Sequence, residues 1–141
     1  MKPEYLLDTN VISEPLRPAP NPAVLDKLQT YQDSLALSAI TWHELWFGCQ
    51  RMPVSARRTA IEDYLLHVIA RSMSILPYDE RAAAWHADER ARLVALGQTP
   101  SFVDGQIAAV ALTNDLVLVT FNTIHYQGFK ELRLEDWRSQ P

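Results

Sequence analysis

Cysteine is almost missing from this 141-residue chain, and Cys49, the only one, has no partner for an internal disulfide. That fits a reducing compartment, and the expected location is the cytoplasm. No apolar run approaches the length of a membrane span, so no membrane role is expected. The first residues bring charge and then a short strand, not the apolar core of a signal peptide. Repeats, low-complexity segments and internal linkers are missing. Basic charge is not in excess either. The formal net charge of -4 argues against a basic coat that binds nucleic acid non-specifically, whereas an acidic metal site can itself supply the surplus. Several chemical motifs are also lacking. There is no Walker loop and no G-x-G-x-x-G. His43-Glu44 begins a zinc-binding H-E-x-x-H pattern, but Phe47 stands where the second His is required. His67, His86 and His125 have no other ligand spacing. Asp8-Thr9-Asn10 carries Asn where an Asp-x-Asp phosphotransferase would have its second acid.

What is present is the composition of one globular domain spanning residues 1–141, with 48% hydrophobic and 21% charged residues. Residues 4–7 read as a first strand, and 9–16 as a short helix stopped by Pro15, Pro18 and Pro20. Asn21-Pro22 is an N-cap with proline behind it, opening a helix to about Tyr31. Ser34 to Leu37 is a second strand. Thr41 with Glu44 has capping-box spacing for a third helix, in which Trp42, Leu45, Trp46 and Cys49 share a face. Glu44 falls opposite, among Ile40, Phe47 and Gly48, on a face expected to be covered. Pro53 and Val54 start a helix to about Ala70, with Ile61, Leu65, Val68 and Ile69 inward. Met73 to Leu76 is a strand, and Asp79 caps a long helix ended by Gly97. A further helix runs from Pro100-Ser101 to about Thr113. Leu116 to Val119 is an apolar strand, and Leu132 to Leu134 a last edge strand.

Apolar strands separated by helices predict an α/β fold: a short parallel sheet of four to five strands with helices on both faces. Ligands of such sheets bind beyond the carboxyl ends of the strands. Asp8 and the loop Thr120–Asn122 both follow such ends, so they can share a crevice. Asp8 has two readings there, a helix N-cap or a ligand-binding acid. Asp104 likewise suits a capping box with Ser101, yet it heads the stripe Ile107, Ala108, Ala111 that packs on the sheet. Asp8, Glu44 and Asp104 thus each lie near a helix start with an inward aim. Clustered carboxylates repel unless a cation neutralises them, and oxygen donors select Mg²⁺ or Mn²⁺. That is the chemistry of phosphodiester hydrolysis.

Four segments in register then carry a resemblance. They are Leu7-Asp8-Thr9-Asn10-Val11-Ile12, Thr41-x-x-Glu44-Leu45-x-x-Gly48, Asp104-x-x-Ile107-Ala108-Ala109-x-Ala111, and Leu118-Val119-Thr120-x-Asn122-x-x-x-Tyr126. The chain resembles PIN-domain ribonucleases, and among them the VapC toxins of bacterial toxin–antitoxin pairs. The resemblance implies a Mg²⁺-dependent endoribonuclease, with Mn²⁺ able to substitute. Asp8, Glu44 and Asp104 match the catalytic and metal-binding acids, and Thr9, Asn10, Thr120 and Asn122 match supporting polar positions. It implies an RNA substrate, a homodimer and a cognate antitoxin, with DNA engaged only through that antitoxin. The alternative is a non-catalytic PIN-fold module that binds RNA or protein. The chain departs from the family where a fourth acid is common: those positions hold Asn122 and His125, and Phe121 replaces a frequent Arg. One tightly held cation on Asp8 and Asp104 is therefore expected, with Glu44 acting directly or through water and a second ion arriving only with RNA. Arg51, Arg57, Arg58, Arg90 and Arg92 could rim an RNA path or merely face solvent. Trp42, Trp46 and Trp85 suggest apolar surface for a dimer.

Overall fold

Short apolar runs become the strands of one five-stranded sheet in a computed structural model that describes residues 2–138. The order of elements is β1 (Tyr5–Leu7), α1 (Thr9–Ser13), α2 (Pro22–Thr30), β2 (Leu35–Ser38), α3 (Ala39–Gln50), α4 (Ala56–Tyr64), α5 (Ala70–Ser72), β3 (Ser74–Leu76), α6 (Glu80–Ala95), α7 (Phe102–Thr113), β4 (Val117–Val119) and β5 (Leu134–Glu135). The strands lie in the order β3-β2-β1-β4-β5, every neighbouring pair parallel. Chain order reverses direction between β1 and β4, which makes the crevice above that pair the expected ligand position.

The strand period of two divides the core. Leu6, Ala36 and Leu118 face α6 and α7, where Leu93, Ile107, Ala108 and Ala111 meet them. Leu7, Leu35, Leu37 and Val119 face the other way, onto Val11, Ile12, Leu45, Leu65 and Trp137. Each fully buried Leu contributes about 1.5–3 kcal/mol. The run of alanines lets α7 lie close to the sheet. Gly105 does the same for the approach of α6, since a Cβ there would collide with the His86 imidazole. His86 is buried, its Nδ1 lies 2.9 Å from the Tyr78 hydroxyl, and burial followed by the Arg90 charge holds it below the ordinary histidine value. We expect Gly105→Ala to destabilise the fold by about 1–3 kcal/mol through overpacking. Urea unfolding measures this, and an unchanged midpoint would mean the imidazole can simply step aside.

Several boundaries differ from the sequence reading. Ser38, not Thr41, caps α3: its Oγ accepts from Thr41 N at 3.0 Å, so Thr41 is already inside the helix and buried. Ser55, not Pro53-Val54, opens α4, and Val54 is 90% exposed. A π turn over Leu65–Ile69 joins α4 to α5. Its wider turn puts Leu65 and Ile69 in the core and turns Val68 outward, which a uniform 3.6-residue period cannot foresee. The last strand covers Leu134–Glu135 and not Leu132 to Leu134; Arg133 precedes it, its carbonyl accepting from Leu118 N at 2.9 Å and its side chain pairing with Asp115 at 3.0 Å. No helix among the described residues is long and apolar enough to cross a membrane.

Candidate active site

Asp8 leaves β1 in extended backbone and caps α1, its Oδ1 accepting from Thr9 N at 2.8 Å. The cap reading of this acid holds, and its other oxygen, Oδ2, is left to the crevice side, where the neighbouring strand meets it. Thr120 at the end of the neighbouring strand β4 donates its hydroxyl to Asp8 Oδ2 at 2.8 Å. The same hydroxyl accepts from Asn122 N at 3.1 Å, which turns the loop after β4. Further on, a 3₁₀ turn at Thr123–His125 carries the chain to Tyr126. That phenol is buried, and its hydroxyl lies 3.4 Å from Asp8 Oδ2 and 3.2 Å from Asp104 Oδ1.

Asp104 reaches this point from the first turn of α7. Ser101 caps the helix, with Oγ accepting from Asp104 N at 3.4 Å. The Asp104 carboxylate takes no part in the cap and is free to face Asp8, while Ile107, Ala108 and Ala111 below it are buried. His125 Nδ1 stands 3.9 Å from Asp104 Oδ2.

Glu44 is placed differently from expectation. Its face of α3 is open: Glu44 is exposed and Phe47 is 57% exposed. The carboxylate is tied to the site indirectly, accepting from Thr9 Oγ1 at 2.8 Å. Among the described residues no three metal-ligating side chains close around a common point. The structure therefore brings Asp8 and Asp104 together at the floor and leaves Glu44 at the rim, one residue's width away through Thr9. Asn122 is exposed and joins through its backbone N–H. Asn10 Oδ1 is buried without a hydrogen-bond partner among the described residues.

The electrostatics follow from burial. Loss of water pushes the Asp8 carboxyl up; the Thr120 and Thr9 hydrogen bonds oppose this, and the Asp104 charge adds to it. Burial, then the two carboxylates, push the Tyr126 hydroxyl far above the ordinary phenol value, so it stays protonated. One O–H proton thus stands between two acids and can satisfy only one of them at a time. A set of anionic oxygens with unfilled lone pairs fits a hard divalent cation and not a soft one.

Tyr126 is the residue that sequence reasoning undervalued. It was visible only as the last position of the fourth segment, and an aromatic after a strand ordinarily signals packing. Of the arginines considered for a rim, Arg92 is bound to Glu89 at 2.8 Å and Arg58 to Gln50 at 2.6 Å, so both hold the fold. Arg57 instead lines a cavity of about 370 Å³ with Thr9, Glu44, Cys49 and Ile61, directly beside the rim. Arg138 lies 4.5 Å over the Phe121 ring and donates to Phe121 O, so a cation still stands beside this loop.

This topology has known counterparts. A model of the PIN domain matches residues 5–130, and the chain belongs to the PIN-domain family. Among its members the chain is similar to the VapC ribonuclease Y4jK of Sinorhizobium fredii, 35% identical over 87% of this chain and 90% of that one. It is also similar to the toxin FitB of Neisseria gonorrhoeae, 38% identical over 84% and 87%. A solved structure of FitAB bound to an IR36 DNA fragment superposes with a TM-score of 0.90, at 31% identity and 97% coverage of both chains.

Proposed function

We propose that this chain is the endoribonuclease toxin of a toxin–antitoxin pair, acting with Mg²⁺ or Mn²⁺. The observation that carries the reading is the facing pair Asp8 and Asp104, held over the carboxyl ends of β1 and β4 with a single hydroxyl between them. Names of similar proteins point the same way: one is a ribonuclease and another a toxin. Asp8 and Asp104 would hold the cation, and Glu44 would join directly or through water from the rim. Bound there, a divalent cation supplies an activated water and stabilises the leaving oxygen of the phosphodiester. The chain's own part is positional. Thr120 and Thr9 N fix the rotamer of Asp8, Thr9 Oγ1 orients Glu44, and Asn122 offers a neutral hydrogen-bonding side chain to the scissile phosphate. Arg57, beside Glu44, suits a neighbouring phosphate of the RNA.

The partner is a small antitoxin that lies in or beside the crevice, and DNA is reached through it. The cavity bordered by Thr9, Glu44 and Ile61 supports this, because a partner side chain seated there would block the rim. Assay of RNA against a phosphate monoester, with and without Mg²⁺, tests the reading. Cleavage of the monoester alone, or RNA binding without metal-dependent cleavage, would refute it.

We also expect a homodimer. Trp42 and Trp46 stack at 5.9 Å and, like Trp85, are half-buried against the core, so they are not the free surface first envisaged. The most exposed large apolar side chains among the described residues are instead Phe47, Val54, Leu96, Phe102 and Ile124. Some of these should be covered by a second copy. Light scattering at micromolar concentration is expected to give twice the chain mass; a monomer mass both alone and with antitoxin would sink the idea.

A further inference from the structure

We infer that Tyr126 is a positioning residue of the active site, whose hydroxyl sets the orientation and spacing of Asp8 and Asp104 for the cation. The inference rests on the metal-dependent reading above and goes beyond it to a residue outside the acidic set. Three observations carry it. Tyr126 is 1% exposed, and its ring is packed in the core beside Phe129, so the hydroxyl is aimed from below and not free to swing. The hydroxyl has two polar neighbours, Asp8 Oδ2 at 3.4 Å and Asp104 Oδ1 at 3.2 Å, one on each acid. The two acids depend on it unequally. Asp8 is also held by Thr9 N and Thr120 Oγ1, both at 2.8 Å. Asp104 has no other side-chain hydrogen bond shorter than its 3.9 Å approach to His125 among the described residues.

The consequence is specific. A partly exposed carboxylate on the first turn of a helix samples several rotamers unless something holds it. The phenol holds Asp104 by one oxygen and thereby turns the other toward the crevice. The same hydroxyl can turn its one proton to Asp8 Oδ2 at 3.4 Å, so the two acids share a single donor whose place the core fixes. Groups that hydrogen-bond metal ligands in this way typically account for about 10–100-fold in metal affinity or activity.

The test is Tyr126→Phe, which keeps the ring and its packing and removes only the hydroxyl. Calorimetric titration with Mn²⁺ is expected to show affinity weakened by about 10–100-fold, with a broadened Mn²⁺ electron paramagnetic resonance spectrum and cleavage reduced in parallel. The melting temperature without metal should stay close to that of the unmodified protein. Unchanged Mn²⁺ affinity and spectrum in a folded Tyr126→Phe would overturn the role of Tyr126 and leave the metal reading standing. A fall in melting temperature alone, with metal binding unchanged, would assign the hydroxyl to folding and equally overturn it. If the unmodified protein binds no Mn²⁺, or binds it as well after Asp104→Asn, both the metal reading and this inference fail. Thr120→Val serves as the comparison: it removes a donor to Asp8 and the acceptor of Asn122 N, and leaves the Tyr126 contact with Asp104 in place.

Discussion

Asp104→Asn is expected to reduce RNA cleavage by about 10²–10³-fold or more, the scale seen when one preorganised electrostatic contact to a reacting group is lost. The substitution keeps shape and leaves the helix cap intact, since Ser101 Oγ accepts from the backbone N–H of residue 104 and not from its side chain. It therefore separates chemistry from folding. Its effect on stability should run the other way. Asp8 is pushed up mainly by burial and further by the Asp104 charge. An acid whose folded value lies above its unfolded one makes the fold less stable as pH rises through the folded value. Removing the Asp104 charge removes part of that cost. Without added metal, the variant should melt at or above the temperature of the unmodified protein at neutral pH, and the difference should vanish in acid. Full activity in a folded variant at saturating Mg²⁺ would show that Asp104 is not a ligand.

Chelation should abolish cleavage, and calorimetry with Mn²⁺ on the free protein should return one tight site. Two cations a few ångströms apart need negative charge on both sides. Among the described residues only Asp8 and Asp104 stand as acids at the floor of the crevice, with Glu44 bound to Thr9 at the rim. Asn122 is neutral, and His125 is a poor partner for a hard cation. Asp115 does not help: it is held by Arg133 beside Glu4 and Val117, at the amino end of the sheet. Asn122→Asp should therefore create a second site, because the loop it occupies is already turned toward Asp8 by the Thr120 hydroxyl. Two tight sites in the unmodified protein, without RNA, would contradict this account.

Much of the fold was legible in the chain itself. Caps at Asn21, Asp79 and Ser101 and the stop at Gly97 were read correctly, since capping and positive φ are decided within a few residues. The errors fall where the local signal was ambiguous or the geometry departed from a regular period. Ser38 and Thr41 both suit a cap, and only the length of β2 selected Ser38. Val68 was misplaced because the π turn shifts the helix face. The site divides in the same way. Asp8 and Asp104 could be singled out from spacing, but nothing local distinguished the rim position of Glu44 from a covered one.

The sequence by itself determined the strands, the helices, their parallel arrangement and the two acids at strand and helix ends. These depend on periodicity and capping, whose range is a few residues. Only the tertiary structure decided that Thr120 and Tyr126 bind Asp8, that Tyr126 also reaches Asp104, and that Glu44 stands at the edge. The pairs made by Asp8 are separated by most of the chain's length, and those of Tyr126 with Asp104 and Thr9 with Glu44 by 22 and 35 residues. Their distances depend on how closely α7 and the loop after β4 pack on the sheet, a property of the assembled core and of no single segment.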